Sequence, residues 1–420
     1  MPRHSLANVP AVVLAALLCA CASRGPDRVA PPRADEAALR SFAARGYATQ
    51  DSSGGTMLTR QTWWLGGREQ VLHWMLPRAG SVAAPLVIYL PGLGESAGAG
   101  ARWRQAWASA GYAVLSLQPL EADEAAFRSE LARTGEFRDL ARQRFAADEA
   151  RRRLRVLAEV HDELQRRVGG GETPWRQIDL TRLALAGYDI GAWTAMVAAG
   201  ERLPGSAAPM PALPLRAVIA LSPHAVVADG GFETRWQDIR LPVLSITGDD
   251  DRDLLGLVPG ALAREAPFVQ MPAADKRLLS LPGLAHAAFG GGAIEGLLQA
   301  AAAETAGVAP SGDDARGQRG RGGGGGGGGS GGDGRGGAGS RGGERGPSGN
   351  EAGRPARGAA NGSFSGTASS PTTLQMRLQA IQDVSTAFLD ATLKDDALAR
   401  EWLDRDAPRW LAGQGTLRGR

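Results

Sequence analysis

The stretch Leu183-Ala184-Leu185-Ala186-Gly187-Tyr188-Asp189-Ile190-Gly191-Ala192-Trp193-Thr194 contains the pattern that decides the fold. It predicts a short apolar strand, a tight turn flanked by two glycines, and then a helix. This is the form of the nucleophile elbow G-x-S-x-G, in which a strained strand-to-helix turn lifts a nucleophilic side chain above a parallel sheet. In this chain Asp189 stands where that pattern has serine.

The two flanking glycines have a physical role in such a turn. Side chains at Gly187 and Gly191 would collide with the neighbouring strand and helix. The helix that follows points its N-terminal amides at Asp189, which favours negative charge there. An isolated G-x-D-x-G match is also typical of an ordinary turn residue or a helix N-cap, so the interpretation depends on the rest of the chain.

Three further segments have the composition that such a site requires. Residues 86–90 form an apolar strand that ends in Pro91-Gly92-Leu93-Gly94. Residues 241–247 form another, which ends in Gly248-Asp249-Asp250-Asp251, and Leu281-Pro282-Gly283-Leu284-Ala285-His286 follows. A glycine loop, an elbow, an acid and a histidine therefore occur in the chain order nucleophile, acid, histidine.

On these residues the chain resembles the α/β-hydrolases, and among them the cap-less branch that includes dienelactone hydrolase and platelet-activating-factor acetylhydrolase. The resemblance extends from about Thr59 to about Leu411. It implies an α/β fold with a mostly parallel central sheet and helices on both faces.

The resemblance also implies a role for each matching residue. Asp189 takes the nucleophile position, Asp251 is the acid and His286 is the base. The amides of Leu93 and Ile190 match the oxyanion hole, and the structural glycines are Gly92, Gly187 and Gly191. Asp250 and Asp253 remain as reserve acids.

Asp189 itself departs from that branch and resembles a second one, the haloalkane dehalogenases and epoxide hydrolases, which use an aspartate there. Two features separate the chain from this branch. Only residues 222–240 separate two strands where capped relatives insert a lid. Ile190 stands where those families commonly have a tryptophan, and its side chain offers no hydrogen-bond donor.

An aspartate nucleophile favours particular substrates. Its attack on an ester carbonyl would give a high-energy anhydride, whereas attack on a saturated carbon gives an ordinary alkyl ester that a histidine-activated water can hydrolyse. The sequence predicts a hydrolase for a small organic ester, halide or epoxide. Two alternatives remain: Asp189 as a general base without a covalent step, and a catalytically degenerate fold that binds a ligand or protein at the cell surface.

Composition and charge give little indication of binding partners or cofactors. The net charge of +3 is small for 420 residues and indicates no particular partner. No H-E-x-x-H or paired-cysteine pattern occurs, so we predict no metal and no cofactor. Arginine-glycine pairs occur in residues 311–366, but acidic residues are interspersed and Phe364 is their one aromatic, so we predict no nucleic-acid binding. The oligomeric state is left open.

The N-terminus predicts export and a lipid anchor. A short basic start precedes an apolar run from Pro10 to Ala20, which is too short to span a membrane and fits a secretory signal. Leu18-Cys19-Ala20-Cys21 resembles a bacterial lipobox, with 1–20 as the signal peptide, Cys21 as the lipidated residue and 21–36 as a tether. Ala22 favours the outer membrane of a two-membrane bacterium. The alternative is an ordinary signal peptide.

Composition also divides the rest of the chain. Residues 37–310 are predicted to form the main part of the hydrolase domain. Residues 311–372 are dominated by glycine, including an unbroken run over 322–329, and predict a disordered insertion. Residues 373–413 resume a helical pattern and predict the domain's last helix. Upstream, residues 61–65 and 70–76 predict a hairpin, and Glu121 to Val168 predicts a long helical region.

The lipid anchor is directly testable. Metabolic labelling with a fatty-acid probe should mark the wild-type protein and the Cys19→Ser variant, and should be lost in Cys21→Ser, because only the second cysteine lies at the acylation position. Labelling that persists in both variants would contradict the lipobox.

Overall fold

The computed structural model describes residues 34–49, 56–77, 83–203, 210–226, 231–292 and 370–420. The predicted signal peptide, Cys21 and nearly all of the insertion at 311–372 lie outside these residues. The described residues form an α/β structure built on one nine-stranded, mostly parallel sheet.

The strands are Thr56–Leu65 (β1), Arg68–Pro77 (β2), Ala84–Leu90 (β3), Ala113–Ser116 (β4), Ile178–Tyr188 (β5), Leu215–Leu221 (β6), Val243–Thr247 (β7), Lys276–Ser280 (β8) and Thr416–Gly419 (β9). Their order in the sheet is β1-β2-β4-β3-β5-β6-β7-β8-β9. Strands β3 to β8 pair in parallel with one another, whereas β2 pairs antiparallel with β1 and β4, and β9 pairs antiparallel with β8.

The α-helices are Glu36–Ala43 (α1), Ala101–Ser109 (α2), Glu121–Glu124 (α3), Glu130–Arg133 (α4), Phe137–Arg144 (α5), Ala147–Gly169 (α6), Ile190–Ala198 (α7), Ala266–Gln270 (α8), Pro371–Leu393 (α9), Ala397–Glu401 (α10) and Ala407–Trp410 (α11). Short 3-10 turns lie at Ala126–Arg128, Trp175–Gln177, Ala261–Glu265 and His286–Gly290, and a π-helical turn lies at Trp402–Asp406.

Helices pack on both faces of the sheet, as the alternating side chains of β3 show. Ile88 and Leu90 belong to a buried apolar cluster that includes Leu154 and Leu157 of α6. Tyr89 points the other way, and its ring lies 6.2 Å from the ring of Trp107 on α2. Because β3 is buried along its whole length, it reads as a continuous apolar run, which is typical of a central parallel strand.

Several sequence expectations need correction. Residues 121–168 are helical as predicted, but they form four α-helices rather than one long one, since Ser129 caps α4 and Gly135, with φ of 80°, follows it. Helix α9 begins at Pro371, two residues before the predicted boundary, and it ends at Leu393, well before residue 413. Strand β9 was not predicted at all.

The N-terminal segment is fixed to α9. Asp35 and Glu36, which the predicted tether 21–36 includes, are the N-cap and first residue of α1. The Asp35 N–H donates to Thr372 Oγ1 over 2.7 Å, and the Tyr47 hydroxyl donates to Asp390 Oδ2 over 2.8 Å. The tether prediction therefore extends too far along the chain.

Among the described residues, none of the helices combines the length and apolar character needed to cross a membrane.

The tight crossing of β5, α7 and β3 gives a stability prediction. A Cβ at Gly191 would collide with the carbonyl groups of Leu90 and Pro91. Gly191→Ala should therefore lower the free energy of unfolding by about 3 kcal/mol or more, measured by urea denaturation. Gly169→Ala is the control, because a Cβ there has open space and ordinary φ at the end of α6, and it should be neutral or mildly stabilising. Equal effects of the two substitutions would contradict the close packing.

Candidate active site

Asp189 lies at the turn between β5 and α7, in a strained backbone. Its φ is 52° and its ψ is −113°, a region that a residue with a Cβ rarely occupies. The Asp189 N–H donates to the Leu221 carbonyl of β6 over 3.1 Å, and its own carbonyl accepts from the Trp193 N–H over 3.0 Å. Bonds on both sides of the residue therefore hold the turn, as expected for the elbow.

The carboxylate of Asp189 is directed at the two amides that match the oxyanion hole. Oδ2 accepts from the Leu93 N–H over 3.2 Å, and the Ile190 amide also stabilises the charged form. The side chain accepts no helix-capping bond from α7, so the ordinary N-cap interpretation does not apply. One oxygen of Asp189 is thus held by a backbone amide of the loop after β3.

His286 and Asp251 form the expected hydrogen-bonded pair. Nδ1 of His286 lies 2.7 Å from Asp251 Oδ1, and the Asp251 side chain is fully buried. Since a carboxylate only accepts, Nδ1 is assigned the proton, which leaves Nε2 as the acceptor. The His286 ring lies 5.1 Å from the ring of Tyr188, the residue before Asp189. The structure therefore brings acid, histidine and elbow to one edge of the sheet.

Three residues that sequence reasoning missed hold Asp251 in place. Ser222 Oγ donates to Oδ1 over 2.9 Å, and Thr247 Oγ1 donates to Oδ2 over 2.8 Å. Arg264 is buried, and its Nε lies 3.3 Å from Oδ1. Ser222 directly follows one parallel strand and Thr247 ends another, which could have indicated them, whereas Arg264 lies in a short 3-10 turn that no motif marks.

The reserve acids have other partners. Asp253 Oδ1 accepts from the Leu255 N–H, and its Oδ2 accepts from Leu257 and Val258, so it organises its own loop. Asp250 pairs with Arg252 over 3.0 Å. Of the three aspartates considered as the acid, Asp251 is the one bonded to His286.

Glu95 is a third carboxyl-bearing residue of the site, and no sequence motif marks it. Its Oε2 accepts from the Gly92 N–H over 2.8 Å. Burial raises the pKa of Glu95 to about 7, and the negative charge of nearby Asp189 adds to the increase, while the Gly92 amide and His286 oppose it. Burial also raises the pKa of Asp189, against the lowering effect of His286 and Arg264.

Residues of the connection between β4 and β5 contact the loops that follow β3 and β6. The Gly94 N–H donates to the Asp123 carbonyl of α3 over 2.8 Å, and the ring of Phe127 lies against Gly94. Farther along, Phe145 stacks on His224 with a centroid separation of 4.1 Å. The sequence analysis considered residues 222–240 as the place where capped relatives insert a lid. The contacts described here come instead from residues 123–145.

A scan of the chain against models of known protein families found no match, and a search of the curated proteins found none either. Among the described residues, no group of three or more His, Cys, Asp and Glu side chains is arranged to hold a metal ion. The interpretation of the site therefore rests on its geometry, which combines a strained carboxylate held by amides, an oriented histidine and a second carboxyl group that holds a proton near neutral pH.

The raised pKa of Glu95 predicts a pH-dependent stability. The pKa of this carboxyl group is ordinarily 4.5 and is about 7 in the folded protein. Between pH 4.5 and pH 7, the unfolded chain therefore loses a proton that the folded chain keeps. The free energy of unfolding therefore falls as pH rises through this window. In Glu95→Gln this pH-dependent decrease in the free energy of unfolding, on the order of 2–3 kcal/mol, should be absent. Urea denaturation at several pH values across the window measures it. Buried Asp383 also has a pKa of about 7, but it is common to both proteins and cancels. If the free energy of unfolding changed with pH by the same amount in the wild type and in Glu95→Gln, the raised pKa would be contradicted.

Proposed function

We propose that the protein is a hydrolase with the α/β-hydrolase fold, in which Asp189 attacks a saturated carbon that bears a leaving group. The product of this attack is an alkyl ester of Asp189, which His286 and water then hydrolyse. The observation that supports it best is the Leu93 N–H bond to Asp189 Oδ2. This bond assigns the amide pair to the aspartate rather than to a substrate oxygen.

The occupied amide pair argues against ordinary acyl transfer. In a serine enzyme, the two amides stabilise the oxyanion that forms on the substrate carbonyl. Here Asp189 Oδ2 takes that position, and an acyl group on Asp189 would be an anhydride. Of the ester, halide and epoxide left open by the sequence, the halide and the epoxide fit this arrangement, because attack on either forms no tetrahedral oxyanion on a substrate carbonyl.

The same amides serve the second half of the reaction. His286 Nε2 takes a proton from water, and the water oxygen attacks Cγ of the Asp189 ester. Negative charge then develops on the Asp189 carbonyl oxygen, which the Leu93 and Ile190 amides already stabilise. Asp251 holds the His286 ring and stabilises its positive charge, and the collapsing intermediate releases the alcohol with the proton from His286.

The topology supports the assignment of the fold. The elbow, the acid and the histidine follow β5, β7 and β8, three members of the parallel set, and they occur in the chain order of α/β-hydrolases. Ligands of open parallel sheets bind at the carboxyl ends of the strands, where these residues lie. The resemblance to the cap-less branch, with an aspartate in the nucleophile position, remains part of the proposal.

The place of action is also part of the proposal. The lipobox at 18–21 supports a location in the cell envelope, with Cys21 as the anchor in the outer membrane of a two-membrane bacterium. Its substrate is then a small organic molecule that reaches the envelope. The labelling test of Cys21 given above examines this part separately from the chemistry.

The covalent step can be trapped. In His286→Gln, attack by Asp189 survives while water activation is lost, so the ester should accumulate on Asp189 after incubation with styrene oxide or phenethyl bromide. Peptide mass spectrometry should place the adduct on Asp189, and p-nitrophenyl acetate should give none. His73→Gln, the same change on β2, should not accumulate the adduct, and Asp189→Asn in the His286→Gln background should abolish it.

Two results would contradict this mechanism. The absence of an adduct with both alkylating probes would favour the binding-protein alternative, and normal turnover by His286→Gln would exclude histidine-dependent hydrolysis of an ester intermediate.

A further inference from the structure

We propose that Glu95 is the proton donor of this site and that the substrate is an epoxide, whose leaving oxygen requires a proton, rather than a haloalkane. This inference rests on the proposed attack by Asp189 and narrows its substrate class. It depends on the position of the Glu95 side chain, the hydrogen bonds that it does and does not make, and the charges that face it.

Glu95 lies in the loop after β3, two residues beyond Leu93. One carboxyl oxygen is fixed, because Oε2 accepts from the Gly92 N–H. The other oxygen, Oε1, accepts no hydrogen bond from the part of the chain that the structure describes. A Cβ at Gly290 would approach Oε1 to 3.0 Å, which places that oxygen beside the turn that begins with His286.

The loop that carries Glu95 is held firmly. Gln118 Nε2 donates to the carbonyl oxygens of Gly92 and Glu95, each over 3.1 Å. The Gly94 N–H bond to Asp123 holds the next turn of the loop. A donor fixed in this way needs little reorganisation when the substrate reacts, which is the condition for effective general acid catalysis.

The surroundings of Glu95 keep its proton in place near neutral pH. The groups that face it are Asp189 at the elbow, His286 on the neighbouring turn, and the phenols of Tyr188 and Tyr89 on adjacent strands. Burial and the Asp189 charge favour the protonated carboxyl, and His286 opposes them. In the proposed reaction Asp189, which accepts from the Leu93 amide, is the charged nucleophile, and Glu95 carries the proton.

The chemistry balances with an epoxide and water alone. An Asp189 oxygen forms a bond to one epoxide carbon, the bond from that carbon to the epoxide oxygen breaks, and this oxygen takes the proton of Glu95. Water attacks Cγ of the ester and gives its proton to His286, which passes it to the departing alkoxide. The product is a vicinal diol. Asp189 is left protonated, and it returns its proton to the Glu95 carboxylate, which restores the starting state.

A haloalkane offers no use for this donor, because a bromide ion leaves without a proton. The test therefore compares two probes, styrene oxide and phenethyl bromide, in the full-length His286→Gln protein. The rate of adduct formation on Asp189 is measured for each by mass spectrometry. Adding Glu95→Gln should lower the ratio of the epoxide rate to the bromide rate by about 10²- to 10⁴-fold. Glu121→Gln, which changes an exposed carboxyl on α3, should leave the ratio as it is.

A second measurement leaves Glu95 intact and does not depend on how the variant folds. In the His286→Gln protein, the ratio should fall as pH is raised past the pKa of Glu95, because the donor loses its proton. An unchanged ratio in Glu95→Gln together with a flat pH profile would overturn the role of Glu95. Adduct formation with the bromide would still support the proposed attack, whereas no adduct with either probe would overturn both proposals.

Discussion

The close contact between the backbones of β3, β5 and α7 is the constraint on which the site depends. At Gly187 a side chain would collide with the Gly191 carbonyl, and at Gly191 one would collide with the Leu90 carbonyl. The chain can therefore pass from strand to helix in one residue, and that residue, Asp189, takes a φ of 52°. The resulting strain is offset by the buried parallel strands on either side. Without that contact, the carboxylate could not reach the Leu93 amide.

The carboxyl groups of the site lie in two different environments, one around Asp251 and one around Asp189 and Glu95. Asp251 is fully buried, and its carboxyl oxygens are held by Ser222, Thr247 and His286, with the Arg264 Nε 3.3 Å from Oδ1, so its position is fixed. Asp189 and Glu95 have fewer donors; burial raises the pKa of both carboxyl groups, and the charge of Asp189 adds to the increase at Glu95. One carboxyl group thus orients His286, while the other two lie close enough for the charge of Asp189 to act on Glu95.

Short sequence patterns made part of the fold and of the candidate site predictable. Strand β5, the elbow, Asp251 and His286 each lie in a short strand-turn segment, where apolar runs and glycines mark the position. The chain order then indicated that the three side chains meet. Glu95 and Arg264 could not be found in this way, since their roles depend on burial and on partners distant in sequence. Strand β9 is mostly exposed and lacks apolar alternation, so it is defined by pairing with β8 alone.

The attachment of the N-terminal segment to α9 has a mechanical consequence. Tyr47 bonds to Asp390, Trp410 Nε1 donates to the Phe42 carbonyl over 2.9 Å, and the rings of Phe42 and Trp410 stack at 4.4 Å. Helix α9 in turn packs on β5, β6 and β7. A pulling force on the chain before residue 34 would therefore be borne by α9 and the centre of the sheet, and the hairpin β1–β2 at the sheet edge would carry little of it. The strands that support Asp189 and Asp251 are thus also the part of the fold that resists such a load.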